Sequence, residues 1–167
     1  MKTAVITGAS RGIGLATAKK FLDEGWFVVG TSTSKKNQFD NSNFKGVALD
    51  YLKLESISIA ANEIKESKTS IDALINNAGA VFDLYDTEII DISKLRKTLE
   101  VNLIGTIDFT EQLLPRIETG GHIINIGSRS AILNQPLDDT DAPAYRISKV
   151  AINMYTKLLA LRLGERA

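Results

Sequence analysis

The chain has 167 residues, a usual length for one domain, and its 44% hydrophobic and 24% charged residues argue against disorder. Lysine plus arginine and aspartate plus glutamate number 20 each, so charge gives no reason to expect a nucleic acid or an anionic membrane as partner. The absence of cysteine excludes disulfides and thiolate chemistry, and one histidine without a carboxylate cluster predicts no metal site.

Strand-like and helix-like segments alternate along the whole sequence. Strands are predicted at TAVITG, FVVGTS, GVALD, DALINNAG and HIINIGS. Helices are predicted at GLATAKKFLDEG, at LESISIAANEIKES, at SKLRKTLEVNLIGTIDFTEQLLPRIE and from about Pro143 to Leu163. Residues 33–44 show little helical pattern and predict an irregular crossover between the second and third strands. Apolar strands separated by helices indicate a parallel sheet covered on both faces, in a single α/β domain over residues 1–167.

The segment TGASRGIG joins the first strand to the first helix and carries three glycines, Gly8, Gly12 and Gly14. Their spacing differs from the G-x-G-x-x-G dinucleotide fingerprint, but a tight turn and a close backbone approach also need residues without Cβ. The helix N-terminus that follows offers unpaired N–H groups to a pyrophosphate, and Ser10 and Arg11 can reach phosphate as well. The alternative is a glycine-rich strand-to-helix turn that binds no ligand.

Five motifs resemble those of the short-chain dehydrogenase/reductase family, and they occur in the family's order and at nearly its spacing. TGASRGIG is similar to the family's cofactor loop, and NNAG at residues 76–79 is similar to the motif that ends its fourth strand. VNLIGT places Asn102 like the family's helix asparagine, GHIINIGS places Ser128 like its catalytic serine, and YRISK supplies its Tyr-x-x-x-Lys pair. The resemblance covers residues 3–163 and implies a Rossmann-like, doubly wound parallel sheet with helices on both faces.

The resemblance also implies which residues contact a nicotinamide cofactor. They are Gly8, Ser10, Arg11, Gly12, Ile13, Gly14, Thr33, Asp50, Asn77, Ala78, Gly79, Tyr145 and Lys149. Asp50 resembles the family residue beside the adenine, although a strand-end cap would account for it about as well. Family members usually continue with two further strands and a substrate-binding segment, so we expect a fold truncated after the catalytic helix.

The tip of the second strand reads GTSTSKK, and no acidic residue follows it until Asp40. An acidic side chain at this tip would bind the ribose 2′-hydroxyl of NAD, whereas hydroxyl and basic side chains suit a 2′-phosphate. We therefore expect NADP(H) in preference to NAD(H), and the resemblance implies Thr33 and Arg11 as the 2′-phosphate contacts. Lys35 and Lys36 are better explained as a solvated charged loop.

Tyr145 and Lys149 are four residues apart and therefore lie on one face of the last predicted helix. A free tyrosine has a pKa of about 10, and a nearby positive charge favours the phenolate that a general base must form. Tyr145 would then act as general acid in reduction and as base in oxidation, and Ser128 would hydrogen-bond the substrate oxygen. The resemblance implies that Lys149 also holds the nicotinamide ribose, and that Asn102 fixes the helix backbone and a proton-relaying water.

Each of these residues taken alone has an ordinary explanation. Tyrosine and lysine four apart are common on helices, and a serine after a strand is more often a cap than a catalyst. Ser130 is a rival to Ser128, which we prefer because it directly follows NIG. Asn102 is the most informative, because a buried amide in the apolar stretch LEVNLIGT is costly without a partner. We interpret His122, before the fifth strand, as structural.

The last predicted helix carries two apolar stripes. One is formed by Ile147, Val150, Ala151, Met154, Leu158 and Leu161, and the other by Ile152, Tyr155 and Leu159. One stripe would cover the sheet, and the other suits a partner subunit, since the family pairs this helix and the long helix before it across a dimer. We therefore expect a homo-oligomer formed through the two long helices, and a fifth strand at the edge of the sheet.

The residues together favour an NADP(H)-dependent oxidoreductase that transfers a hydride between nicotinamide and the carbonyl or alcohol carbon of a small molecule. The alternative is a family member that binds the cofactor without turnover, or one that a partner chain completes. No apolar run approaches the roughly 20 residues that a membrane helix needs, so we expect a cytoplasmic protein without a membrane partner.

Overall fold

The computed structural model describes residues 1–34, 38–67, 70–83, 89–134 and 140–164. Five parallel strands form one sheet in the order β3-β2-β1-β4-β5. The strands are β1 (Thr3–Ile6), β2 (Phe27–Ser32), β3 (Phe44–Ala48), β4 (Ile71–Asn76) and β5 (Ile117–Asn125). The strand order reverses between β1 and β4, and open parallel sheets bind ligands beyond the carboxyl ends of the strands at such a point.

The helices lie on both faces of the sheet. They are α1 (Gly12–Asp23), α2 (Leu54–Glu66), α3 (Ile92–Leu99), α4 (Gly105–Leu113) and α5 (Pro143–Leu163). Helix α1 packs on one face, where Leu22 belongs to an apolar cluster with Val28 of β2. Helices α2 and α4 pack on the other face, where Ile57 and Phe109 form a cluster with Val5 of β1. The predicted doubly wound sheet is therefore confirmed.

Local sequence accounts for several helix ends. Gly25 follows α1 at φ 77° and Gly164 follows α5 at φ 56°, the left-handed region that glycine adopts without strain. Pro143 opens α5 at a position where the helix needs no backbone donor. Asp91 caps α3 by accepting a hydrogen bond from the Ser93 N–H at 2.8 Å.

The long helix predicted around Asn102 is interrupted by a π-helical turn. This turn, Glu100–Ile104, joins α3 to α4, and the Gly105 N–H donates to the Glu100 carbonyl across it. Single π-turns of this kind are frequent at functional sites because they re-aim one side chain without ending the helix.

Strand β5 is longer than the predicted HIINIGS. It begins at Ile117, so the expectation that His122 precedes the fifth strand is wrong, because His122 lies inside the strand and is exposed. Gly120, at φ 79°, lies in an irregularity where the pairing of β5 with β4 shifts register. Between β2 and β3, the described residues contain only turns and bends, which matches the predicted irregular crossover.

Helix α5 has one buried and one exposed apolar side, as the two predicted stripes imply. Ile152, Tyr155 and Leu159 are at most 8% exposed and pack with Leu103 and Ile107. The exposed side comprises Ile147, Met154, Leu158 and Leu161, with 43–82% of each residue accessible. In the described ranges of the chain, neither α5 nor any other helix is both long and apolar enough to cross a membrane.

Candidate active site

A cleft of about 540 Å³ opens at the carboxyl ends of β1 to β4, where the strand order reverses. Its walls are formed by Gly8, Ser10, Arg11, Gly12, Ile13, Thr31, Ser32, Thr33, Leu49, Asp50, Tyr51, Leu52, Asn77, Ala78, Gly79, Ala80, Phe82 and Val101. Every cofactor residue predicted from the sequence lines this cleft except Gly14, Tyr145 and Lys149. The segments around these residues are far apart in sequence, and the parallel sheet brings them together.

The loop after β1 depends on its glycines. Gly8 and Gly12 have φ values of 68° and 55°, which disfavour any residue with a Cβ. Gly14 is buried, and a Cβ on it would collide with the Gly8 carbonyl oxygen and lie 2.5 Å from Asn77 Nδ2. The first turn of α1 therefore packs directly on the loop, and position 14 has no room for a side chain.

The N-terminus of α1 has no cap from its own N-cap side chain. In this fully described turn, the N-cap residue Arg11 makes no side-chain capping bond and no acidic residue is present. Unpaired N–H groups and the positive end of the helix dipole favour an anion. Gly12 and Ile13 of the same turn line the cleft, so this end of it suits a pyrophosphate.

Thr7 joins the glycine loop to the NNAG segment. Its hydroxyl oxygen accepts hydrogen bonds from the Asn77 and Ala78 N–H groups at 3.0 Å each. Asn77 Nδ2 in turn donates to the Thr7 carbonyl at 2.9 Å and to the Gly8 carbonyl at 3.3 Å. The two loops thus form one hydrogen-bonded floor. Sequence reasoning missed Thr7, because a hydroxyl at the end of a strand has no distinguishing pattern.

Asp50 lines the cleft and also caps the turn that follows β3. Its Oδ1 accepts a hydrogen bond from the Leu52 N–H at 3.1 Å, and its Oδ2 lies 3.5 Å from Lys53 Nζ. Both interpretations of this residue, as a neighbour of the adenine and as a cap, are therefore compatible with its position.

Thr33 and Arg11 are both exposed in the cleft wall, at the tip of β2 and at the start of α1. Ser32, beside Thr33, is held by a hydrogen bond from its Oγ to the Ser34 carbonyl at 2.5 Å. Lys35 and Lys36, interpreted as a solvated loop, lie outside the described residues.

Asn102 is held in the π-helical turn and is only 2% exposed. Its Oδ1 accepts from the Ala80 N–H at 2.8 Å, and its Nδ2 donates to the Ala80 carbonyl at 2.9 Å and to the Ser148 hydroxyl at 3.1 Å. Ser148 Oγ donates onward to the Tyr145 carbonyl at 2.7 Å. This amide is therefore fully partnered, and it ties the segment after NNAG to the start of α5.

Lys149 and Tyr145 lie on the same side of α5. Lys149 Nζ lies 5.6 Å from the centroid of the Tyr145 ring and donates a hydrogen bond to the Ile126 carbonyl at 2.7 Å. Burial lowers the pKa of the Lys149 ammonium group. A Cβ on Gly79 would lie 3.9 Å from Lys149 Nζ and 3.4 Å from Asn102 Oδ1. Lys149 of the Tyr–Lys pair therefore lies next to the cleft residue Gly79.

Ser128 precedes a short 3₁₀ turn, Arg129–Ala131, that packs against α5. Its Oγ accepts a hydrogen bond from the Ser130 N–H at 3.1 Å, so it serves as a cap. Capping uses only a lone pair, and the hydroxyl proton stays available for another acceptor. Ser128 does not line the described cleft, nor does Tyr145 or Lys149.

Sequence reasoning also missed Tyr51, Phe82 and Val101 in the cleft wall, and the buried residue Asp83, which follows Phe82. Apolar and aromatic wall residues belong to no motif, and their positions depend on how the loops fold. Asp83 is 2% exposed and its Oδ2 accepts a hydrogen bond from the Ala144 N–H at 2.5 Å.

Comparison with known proteins identifies relatives along the whole chain. The sequence matches the family model described as short chain dehydrogenase over residues 2–167. A serine 3-dehydrogenase of Rhizobium radiobacter is 33% identical over 135 residues, which cover 77% of this chain and 54% of the relative. A 3-oxoacyl-[acyl-carrier-protein] reductase FabG of Haemophilus influenzae is 32% identical over 177 aligned positions, with 99% of this chain and 69% of the relative covered.

A solved structure has the same fold. A short chain dehydrogenase family protein from Francisella tularensis superposes with a TM-score of 0.85 at 29% identity, covering 99% of this chain and 65% of that one. The chain thus spans between about half and about two thirds of the lengths of these relatives. Members of the family are oxidoreductases that use nicotinamide cofactors. With the family model matched from residue 2 to residue 167, this chain belongs to the short-chain dehydrogenase/reductase family.

Proposed function

We propose that this chain is an NADP(H)-dependent oxidoreductase that transfers a hydride between nicotinamide and the carbonyl or alcohol carbon of a small molecule. The observation that carries the proposal is the position of Lys149 Nζ, which lies 5.6 Å from the Tyr145 ring centroid and beside the cleft residue Gly79. In this arrangement the cation of a Tyr–Lys pair adjoins a cleft at the carboxyl ends of the strands, where dinucleotides bind in open parallel sheets.

The residues of the cleft fit the parts of a dinucleotide in order. We assign the pyrophosphate to the backbone donors of Gly12 and Ile13 and the adenine to the side of the cleft that Asp50 lines. Asn77 to Gly79 form the floor at the other end, next to Lys149, which we assign to the nicotinamide ribose. When bound there, the cofactor supplies or accepts the hydride.

We assign the 2′-phosphate of NADP(H) to Thr33 and Arg11, which are both exposed and both line the cleft. Replacing Thr33 with Asp brings a negative charge to that place, and repulsion should lower the ratio of NADPH to NADH affinity by about tenfold or more. Thr33→Ser, which keeps the hydroxyl, is the matched control and should leave the ratio unchanged. Titrations followed by nicotinamide fluorescence measure both ratios, and an unchanged ratio in the Asp variant would reject the assignment.

In the proposed chemistry, Tyr145 gives its hydroxyl proton to the substrate oxygen in reduction and takes it back in oxidation. Lys149 favours the phenolate through its charge, and the Ile126 carbonyl holds its ammonium group at 2.7 Å. Ser128 donates a hydrogen bond to the substrate oxygen and steadies the charge that develops on it. Asn102 fixes the backbone at Tyr145 through Ser148. As the family implies, it also holds a water on the proton path to Lys149.

Tyr145→Phe tests this assignment, because it removes the proton donor and keeps the ring. We expect turnover of NADPH with a panel of aldehydes and ketones to fall by about 10²–10⁴-fold, with NADPH affinity nearly unchanged. Tyr155→Phe is the matched control, because Tyr155 lies on the same helix but donates to Glu111 at 3.0 Å, away from the cleft. A Tyr145→Phe variant that retains turnover, or that loses binding and turnover equally, contradicts the role given to Tyr145.

The alternative function is cofactor binding without turnover, alone or until a partner chain completes the site. One observation favours it: the described cleft includes the nucleotide residues but not Ser128, Tyr145 or Lys149. Saturable NADPH binding with no oxidation by any carbonyl compound of the panel would support this alternative.

We also propose that the protein is a homo-oligomer formed through α5 and the helix before it. Support comes from the exposed apolar side of α5, where Met154, Leu158 and Leu161 are 52–82% exposed, and from Ile104, which is 49% exposed. Apolar surface of this kind is typical of a covered interface. The cytoplasmic location stays a prediction.

A further inference from the structure

Asp83 is a buried acidic residue that the proposed chemistry does not use. It follows the cleft residues Gly79, Ala80 and Phe82 in sequence and contacts the start of α5. Only 2% of the residue is exposed, and its Oδ2 accepts a hydrogen bond from the Ala144 N–H at 2.5 Å. Its Oδ1 is buried without a hydrogen-bond partner in the described part of the chain. Because aspartate is seldom fully buried, and a buried unpartnered oxygen is costly, we infer a specific task for this carboxyl group.

The N-terminus of α5 receives no cap from its own sequence. Its N-cap residue, Ala142, has no polar side chain, and it adopts φ 51° and ψ 52°. In the described residues it is the one non-glycine position with a positive φ. A left-handed alanine is strained and persists only where surrounding contacts hold it.

Asp83 supplies the missing cap from a distant part of the chain. An N-cap side chain normally accepts a hydrogen bond from the second or third N–H of its helix. Ala144 is the second residue of α5, and its N–H is bound by Asp83, 61 residues away in sequence. A negatively charged group is also favoured at this end of a helix dipole.

Tyr145 is therefore held on both sides by the segment that follows NNAG. The N–H of the preceding residue, Ala144, is bound by Asp83, and the Tyr145 carbonyl accepts from Ser148 Oγ at 2.7 Å. Ser148 is bound in turn by Asn102, whose amide also pairs with both backbone groups of Ala80. The short segment after NNAG, whose Ala80 and Phe82 line the cleft, thus also fixes the first turn of α5.

We propose that Asp83 is a positioning residue, which clamps the first turn of α5 so that Tyr145 keeps its place beside the nicotinamide end of the cleft. This inference rests on the proposed function for its catalytic consequence, whereas the clamp itself can be tested separately. A hydrogen-bond acceptor at this position is sufficient for the clamp, so Asn should replace Asp and Ala should not.

The experiment compares Asp83→Ala and Asp83→Asn with Asp91→Ala. Asp91 is the matched control, because it caps α3 in the same way, accepting from the Ser93 and Lys94 N–H groups at 2.8 and 3.2 Å. Amide hydrogen exchange over residues 144–148, NADPH affinity and turnover are measured for each variant. Where Asp83→Ala does not fold, Asp83→Ser takes its place, because its shorter side chain ends before the Ala144 N–H.

For Asp83→Ala we expect exchange at the start of α5 to become at least about tenfold faster. Turnover should fall by roughly 10–100-fold, since a small displacement of a catalytic group has an effect of that size, while NADPH affinity stays nearly constant. Asp83→Asn should keep most of the turnover, and its amide exchange at the start of α5 should remain slow. Asp91→Ala should change neither the turnover nor this exchange.

The proposal is overturned if Asp83→Ala exchanges and turns over like the parent chain. It is equally overturned if Asp83→Asn is as defective as Asp83→Ala, or if Asp91→Ala loses as much turnover. A parent chain that binds NADPH without turnover would contradict the proposed function alone. In that case the exchange data still decide the clamp: faster exchange confined to Asp83→Ala supports it, and unchanged exchange removes it.

Discussion

The two ends of the proposed active site stand on very different parts of the sheet. The nucleotide end follows β1, the central strand, in which all four residues are buried. The catalytic end follows β5, an edge strand of the described sheet, in which only Gly121 is buried. A central strand is hydrogen-bonded on both sides, whereas an edge strand has one row of unpaired backbone groups. The sheet itself therefore fixes the nucleotide end more firmly than the catalytic end.

The catalytic end is held instead by hydrogen bonds from side chains. Asn102, Asp83 and Ser148 fix the start of α5, and Lys149 ties α5 to the Ile126 carbonyl just after β5. The nucleotide end needs mainly glycines and backbone donors. We therefore expect that single substitutions can separate nucleotide binding from turnover. Three further variants test the packing of the nucleotide end and the contacts of α5 on the catalytic side.

The largest effect is expected from Gly14→Ala, which adds a methyl group at the nucleotide end. The added Cβ collides with the Gly8 carbonyl oxygen and lies 2.5 Å from Asn77 Nδ2, so the loop and the floor of the cleft must move apart. We expect NADPH affinity to fall by at least about 100-fold and the free energy of unfolding to fall by roughly 1–3 kcal/mol.

Gly25→Ala is the matched control for this variant. Gly25 has φ 77° but open space around its Cβ position, so alanine brings backbone strain without a collision. It also lies after the last turn of α1, whereas Gly14 lies in the first turn. NADPH affinity should stay nearly constant there. If Gly14→Ala binds NADPH as tightly as Gly25→Ala does, the nucleotide end is not the closely packed site described above.

An intermediate effect is expected from Leu158→Glu, which places a carboxylate on the exposed apolar side of α5. Leu158 is 52% exposed, and two opposed carboxylates in a symmetric interface should weaken an oligomer by at least about tenfold. Light scattering at micromolar concentration measures the mass of the parent protein and of the Leu158→Glu variant. Ile59→Glu, on α2 with 64% exposure, is the control and should leave the mass unchanged. A parent chain that is a clean monomer would contradict the proposed oligomer.

The smallest effect is expected from Glu111→Gln, which loosens α4 from α5. The Glu111 carboxylate accepts from Tyr155 OH at 3.0 Å and from two Arg162 nitrogens at 2.9 and 2.8 Å. Because the Arg162 end of this contact is solvent-exposed, we expect a loss of under about 1 kcal/mol in the free energy of unfolding at neutral pH.

The pH dependence of that loss has a definite sign. Hydrogen bonding from Arg162 lowers the pKa of Glu111 in the folded chain. The stabilisation is therefore present at neutral pH and is lost as the pH falls through the folded-state pKa, so parent and variant should converge in acid. Urea unfolding from neutral to acidic pH measures this difference in the free energy of unfolding. Glu118→Gln, at an exposed position of β5, is the control. A difference that persists unchanged in acid would contradict the ionic contact.

Sequence patterns predicted the features that depend on local chemistry. The bounds of α5 follow from Pro143 at its start and Gly164 at its end, and the parallel sheet follows from apolar strands separated by helices. The glycine loop could be recognised because a backbone at φ 68° and 55° requires glycine at positions 8 and 12. The roles of Ser128, Tyr145 and Lys149 stay predictions.

Features that depend on distant contacts could not be predicted. The π-helical turn places Asn102 against Ala80 and Ser148, and neither partner is adjacent to it in sequence. Asp83 caps a helix that begins 60 residues later, so no local pattern marks it. The irregularity at Gly120 extends β5 through residues that carry no alternation of apolar and polar side chains.

The most direct test of the account is a titration of NADPH and NADH into the purified chain, followed by nicotinamide fluorescence. We predict saturable binding of both nucleotides with NADPH the tighter, because Gly12 and Ile13 line the cleft for the pyrophosphate and Arg11 and Thr33 for a 2′-phosphate. Failure of either nucleotide to bind, or tighter binding of NADH, would contradict it.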